Sequence, residues 1–192
     1  MSAAFQKASL RSMIQPPTFL PAGLAALLAL AACSPALNWR EVRPEGTRLN
    51  LLLPCKPDKA QKLVPLGGRA TPLAMLGCDA DGATFAVATA DVGDAAQAAS
   101  VLALWQELAL ANMKAAPASR QMLPLTLPGT APGTPGTPVT RLQAQGQRAD
   151  GTAVSGQAAY FAQGSQLFQV VMYAPQIAPE VAETFFSSLK FE

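Results

Sequence analysis

The stretch TAVSGQAAYFAQGSQLFQVVMYA, residues 152–174, decides the fold. Two strand-like runs, residues 152–162 and 165–174, are joined by Gln163-Gly164, a tight-hairpin signal. In a strand, successive side chains point to opposite faces. Phe168, Val170 and Met172 therefore share one face of the second run, and Leu167, Val171 and Tyr173 share the other. Both faces are apolar. A strand of a sheet with one wet face alternates apolar with polar residues, whereas two apolar faces mark a central strand covered on both sides.

Upstream, RADG (residues 148–151) signals another hairpin, and residues 139–147 read as its first strand. Residues 127–138, LPGTAPGTPGTP, have no period and read as an exposed Pro/Gly-rich loop. Earlier strands are predicted at about residues 48–54, 72–79 and 83–90. Phe85, Val87 and Thr89 share a face of the third, and DADG is the turn before it. Residues 56–69 read as turn and loop, because Pro, Asp and Gly-Gly interrupt any period. A helix capped by Asp91 or Asp94 runs to about Ala116, before Pro117. Its apolar stripe is Ala98, Val101, Leu102, Trp105, Leu108, Ala109 and Met113, and Leu104 and Ala111 widen it towards a second cover. Trp105 is expected in the core, and Trp39 as a cap over one core end. Residues 178–191 read as a closing helix with Pro179 in its first turn and Val181, Phe185 and Leu189 recurring at four. The expected fold is α+β: an antiparallel sheet of about six strands, with a long helix after the third and a helix at the C-terminus.

That order carries a resemblance. LLLPCKPD (residues 51–58), GATFAVATAD (residues 82–91), the glycine-linked run of three strands and the closing FFSSLKF (residues 185–191) resemble the PsbP/Mog1-like sandwich. The same features are still more similar to a group of uncharacterised lipoproteins from beta-proteobacteria, over about residues 38–192. Cys55 stands where that fold commonly has Gly. The resemblance implies accessory work, such as assembly factors, binding modules and membrane-attached partners, with few enzymes. A fold alone does not supply a function.

The N-terminus is read separately. Lys7 and Arg11 precede an apolar run at residues 19–32, with no acid before it. A spanning helix needs about 20 apolar residues. This run is shorter and reads as a secretory signal. It ends in Leu30-Ala31-Ala32-Cys33, which resembles the lipobox of bacterial lipoproteins. The resemblance implies a diacylglyceryl group on the Cys33 thiol, cleavage after Ala32 and acylation of the new amino group. Two or three acyl chains, at about 0.8 kcal/mol per buried methylene, hold a domain on a bilayer durably. Ser34, in place of the Asp that retains such proteins at the inner membrane, leans towards the outer membrane, facing the periplasm. Residues 1–32 are thus expected as signal peptide, 33–37 as lipidated tether and 38–192 as one domain.

With Cys33 lipidated, Cys55 and Cys78 remain, an even number in an oxidising compartment. Each ends a strand-like run, and adjacent antiparallel strands would bring such ends together, so a Cys55–Cys78 disulfide is expected. Two buried thiols or a redox pair are the alternatives, although Cys-x-x-Cys spacing is absent.

Composition narrows the chemistry. Of 192 residues half are hydrophobic and 14% are charged, which suits a folded core. Histidine is absent, which removes the commonest general base and zinc ligand. Without Lys7 and Arg11, twelve basic residues face twelve acidic ones, unlike a nucleic-acid binder. Neither PLGGR nor PGTPGTP precedes a helix with Lys-Ser/Thr, so no phosphate cradle is expected. Ser187 and Ser188 lack a base, with Lys190 as the candidate in principle. No catalytic set, metal site or cofactor emerges. Seven basic residues between Arg40 and Arg69 could face anionic lipid or an acidic partner. The expected role is a non-enzymatic envelope lipoprotein that binds a partner or stabilises a complex. The alternative is a carrier or sensor of a small apolar ligand held between the sheet and the helix of Trp105.

Overall fold

The computed structural model describes residues 36–125, 127–128 and 139–192. Leu30, Ala31, Ala32 and Cys33, and residues 129–138 of the Pro/Gly-rich loop, lie outside the described residues. The elements are β1 (Arg40–Val42), β2 (Leu49–Leu53), β3 (Asp58–Leu66), β4 (Arg69–Ala80), β5 (Ala83–Asp91), α1 (Ala98–Asn112), β6 (Gln121–Leu123), β7 (Thr140–Gln147), β8 (Ala153–Gln163), β9 (Gln166–Ala174), α2 (Pro179–Ser187) and β10 (Lys190–Phe191). The fold is α+β. An antiparallel sheet of order β3-β4-β5-β9-β8-β7-β6 is accompanied by a small sheet of order β1-β2-β10. No helix among the described residues is long and apolar enough to cross a membrane.

β9 lies in the middle of the large sheet, between β5 and β8, with Phe85 opposite Met172 and Phe161 opposite Phe168. Its two apolar faces supply two cores. On one face, Phe85, Phe161, Phe168, Val170 and Met172 meet Leu49, Leu51 and Leu53 of β2 and Phe185 and Phe186 of α2. Phe85 and Phe185 pack edge to face at 5.2 Å, and Phe161 stacks on Phe168 at 5.1 Å. Each such fully buried side chain contributes about 1.5–3 kcal/mol. On the other face, Leu167 and Val171 meet Val101, Leu102, Trp105 and Leu110 of α1. Residues 36–192 thus form a compact unit that closes both cores with its own side chains.

Several elements differ from the sequence reading. Residues 56–69 are not a loop: they contain β3, and Gly67-Gly68, both at positive φ, form the two-residue turn into β4. The long helix follows the fifth strand in chain order rather than the third. It starts after a 3₁₀ turn in which Asp94 accepts a bond from the Ala96 N–H at 2.9 Å. It ends at Asn112, short of Ala116, because Lys114 turns left-handed. Leu110 is buried in the position expected of Leu108. α2 stops at Ser187. Residues 190–191 pair with β2 as a strand, and Leu189 is still fully buried.

The cleft under helix α1

The α1-facing side of the large sheet includes several small residues. Gly77, Ala86 and Ala88 lie together across β4 and β5, and Gly156 and Ala158 lie on β8, beyond Tyr173 and Val171 of β9. α1 is pinned above this floor at both ends. At its N-terminal end, a Cβ on Gly67 would stand 3.0 Å from Val101 Cγ2. At its C-terminal end, a Cβ on Gly146 would stand 1.9 Å from the Met113 carbonyl oxygen, and the Gln147 N–H donates to that oxygen at 2.7 Å. Only glycine at 146 permits that approach.

Between the pins, α1 packs on β8 and β9 and leaves the β3–β4 side of the sheet open. The result is a cleft of about 630 Å³. That size lies within the range of small-molecule sites, about 300–1,000 Å³. Val64, Leu66, Leu73, Met75 and Trp105 form its apolar part. Asn112, Arg148 and Tyr173 form a polar end, and Lys62 stands on the opposite margin. Thr84 lines the floor and donates its hydroxyl to Asp79 at 2.6 Å.

The electrostatics are uneven. Neither Lys62 nor Arg148 makes an ion pair among the described residues, and no carboxylate lines the cleft. Burial raises the Tyr173 phenol above its ordinary value, so it is a neutral donor at physiological pH. The neighbouring Tyr160 phenol is also raised by burial, and it accepts a bond from Gln169 Nε2 at 2.9 Å.

Of the residues singled out from sequence, Trp105 is buried, 8% exposed, yet lines the cleft. Trp39 packs edge-on against Phe85 at 6.1 Å, capping the first core. Cys55 and Cys78 form the disulfide, with Cα atoms 6.0 Å apart. Its geometry differs from the expectation. Cys55 follows β2 of the small sheet and Cys78 lies in β4 of the large one, so the bond joins two sheets rather than adjacent strands. Ser188 is structural: its oxygen accepts from the Leu52 N–H at 2.9 Å, and its hydroxyl donates to the Phe185 carbonyl. Lys190 bonds Glu192 and Glu41, which hold it protonated, the opposite of a base. Much of the basic segment is occupied within the domain. Arg43 and Arg48 bond Glu192, Lys59 pairs with Glu45, and Arg69 bonds the Val92 carbonyl.

The outer side of α1 also departs from expectation. A second cover is expected over Leu104, yet Leu104 is 49% exposed; Leu108, expected on the sheet-facing stripe, is 46% exposed at the margin of the cleft.

Comparison with known proteins adds little to this geometry. No family model matches the chain, and no curated protein matches it. Among solved structures, a protein from Bacteroides thetaiotaomicron is similar over 80% of this chain at 13% identity, with a TM-score of 0.44. The chain spans about half of that protein, 48% of its length. A protein of unknown function from Pseudomonas aeruginosa is similar over 71% of this chain and 82% of its own, at 13% identity and a TM-score of 0.31.

The alternative read from sequence, a ligand between the sheet and the helix of Trp105, looks to this same space, but Lys62 and Arg148, far from Trp105 in sequence and in no motif, are not recognisable there as its lining.

Proposed function

We propose that this protein is a lipid-anchored envelope lipoprotein, held by acylated Cys33 at the outer membrane, whose domain is a non-enzymatic binding module. The lipobox-like Leu30-Ala31-Ala32-Cys33 and the disulfide support the placement. The observation that carries the binding role is the 630 Å³ cleft between α1 and the sheet. A helix resting on a fully packed sheet would leave no such space. The cleft favours the ligand-carrier form of the role over complex stabilisation. A second reading, docking of an envelope protein, is favoured by the exposed Leu104 on the outer side of α1.

Binding is tested with residues 36–192 and N-phenyl-1-naphthylamine, a neutral apolar fluorophore. Saturable binding is expected, and Ala109→Phe, which projects a ring into the cleft, is expected to abolish it with the melting temperature held. Binding that is absent, or indifferent to Ala109→Phe, sinks the reading. Placement is tested separately. Cys33→Ala is expected to keep the leader uncut, and the mature wild-type chain to begin at residue 33 with the added mass of acyl chains.

A further inference from the structure

The cleft has a direction. At one end Arg148, in the β7–β8 turn, stands with the Tyr173 hydroxyl and Asn112. Among the described residues nothing hydrogen-bonds that hydroxyl, and Arg148 makes no ion pair, although its charge helps to lower the nearby Asp150 carboxyl. Towards the other end Leu66, Leu73, Met75 and Trp105 present carbon and an indole face, with Lys62 beside Leu73 on the edge strand. A wholly apolar ligand would leave the polar end unmatched, and a small polar ligand would leave the apolar end wet. The cations on the lining, Arg148 and Lys62, meet no carboxylate there. The nearby acids are already engaged: Asp79 accepts from Thr84, and Asp150 accepts from Thr152 N–H and Oγ1 at 2.9 and 2.7 Å. The negative end of the α1 dipole is met by the Gln147 N–H on Met113.

We propose that the cleft holds a single-chain amphiphile with an anionic head, the head at Arg148 and Tyr173 and the chain along Met75, Leu73 and Trp105. This rests on the reading of the cleft as a binding site and adds the class of ligand. Arg148 supplies a charged fork and Tyr173 a neutral hydroxyl donor, the pairing that a carboxylate or phosphate oxygen accepts. The chain replaces water against the apolar end, so affinity grows with each methylene. Lys62 strengthens the positive field across the cleft without touching the head.

The test uses residues 36–192 carrying Trp39→Phe, so that Trp105 is the fluorescent reporter. Straight-chain carboxylates, alkyl phosphates, and alcohols and amines of matched length are titrated in turn. Carboxylates and phosphates are expected to bind saturably and to tighten about fourfold per added methylene, from about 0.8 kcal/mol each. Alcohols and amines are expected to bind at least tenfold more weakly. Arg148→Gln is expected to erase that difference and to leave N-phenyl-1-naphthylamine binding intact. Lys62→Gln is expected to weaken carboxylates less, and most at low salt. Alcohols or amines binding as tightly as carboxylates, or an Arg148→Gln variant with unchanged preference, would overturn the anionic head and leave the binding site standing. If neither the amphiphiles nor the neutral fluorophore binds, both fall together.

Discussion

Lys114 sits at φ +52°, just past the end of α1, where left-handed backbone is most at ease with glycine. It is there because the helix closes with paired bonds, Lys114 N–H to the Ala111 carbonyl and Ala115 N–H to the Leu110 carbonyl, both 2.9 Å. The lysine side chain is exposed, so removing it costs no packing. Lys114→Gly is expected to stabilise the domain by about 1 kcal/mol, read as a higher urea midpoint at constant slope. The protein's two tyrosines give a second test at this scale, because both are raised by burial. Unfolded phenols ionise near pH 10, whereas the folded ones hold their protons longer. Above about pH 10 the unfolded chain therefore binds fewer protons than the folded one, and stability falls as pH rises. Below the unfolded value their contribution is complete and flat. A melting series through the alkaline range is expected to show that fall, and Tyr160→Phe to flatten it. Phenolate absorbance that rises with an ordinary midpoint while the fold persists would contradict the burial.

At the scale of elements, α1 is positioned by what its neighbours lack. Gly146 lets the Met113 carbonyl reach β7, and no methyl group fits in the 1.9 Å that a Cβ would leave. Gly146→Ala must push the end of α1 outward or bend β7, at about 1–3 kcal/mol. It is expected to lower the melting temperature and also to change fluorophore affinity, because Met113 lines the cleft. An unchanged affinity would mean that β7, not α1, had moved. Which elements were legible follows the same physics. β9 was readable because two covered faces leave apolar residues on both, interrupted only by Gln166 and Gln169. α2 was readable from Pro179 and its buried phenylalanines. β3 was not, because it is an edge strand whose side chains are mostly exposed, so its sequence lacks alternation. Its one signal, Gly67-Gly68 before another extended run, reads as a break along the sequence but is the hairpin turn between β3 and β4. β1, β6 and β10, of two or three residues, are too short to carry a period.

At the scale of the molecule, the two sheets are held on each other by the first core and by one covalent bond. The Cys55–Cys78 pairing was legible by counting cysteines once Cys33 was set aside, but the sheets it joins were not, because β3 stood unrecognised between the two. The place of the cleft was legible, as the space between the sheet and the helix of Trp105, but its lining was not, since it depends on where α1 stops and on side chains of β3, β4 and the β7–β8 turn that no motif links. The disulfide closes a loop with a separation of 23 residues that contains all of β3 and its turn. β3 lends little burial of its own, so this loop has few other reasons to stay in place. Replacing both cysteines by serine is expected to cost about 3 kcal/mol by the loop-entropy model. The loss has a direction in space as well. β3 carries Lys62 and Val64 on the open side of the cleft, so the edge of the sheet should loosen before the cores do. Hydrogen exchange on the double variant is expected to rise first in residues 58–66, with β8 and β9 still protected. A uniform rise across the sheet would mean instead that the bond steadies the whole stack of layers, and that the open side of the cleft is no weaker than its centre.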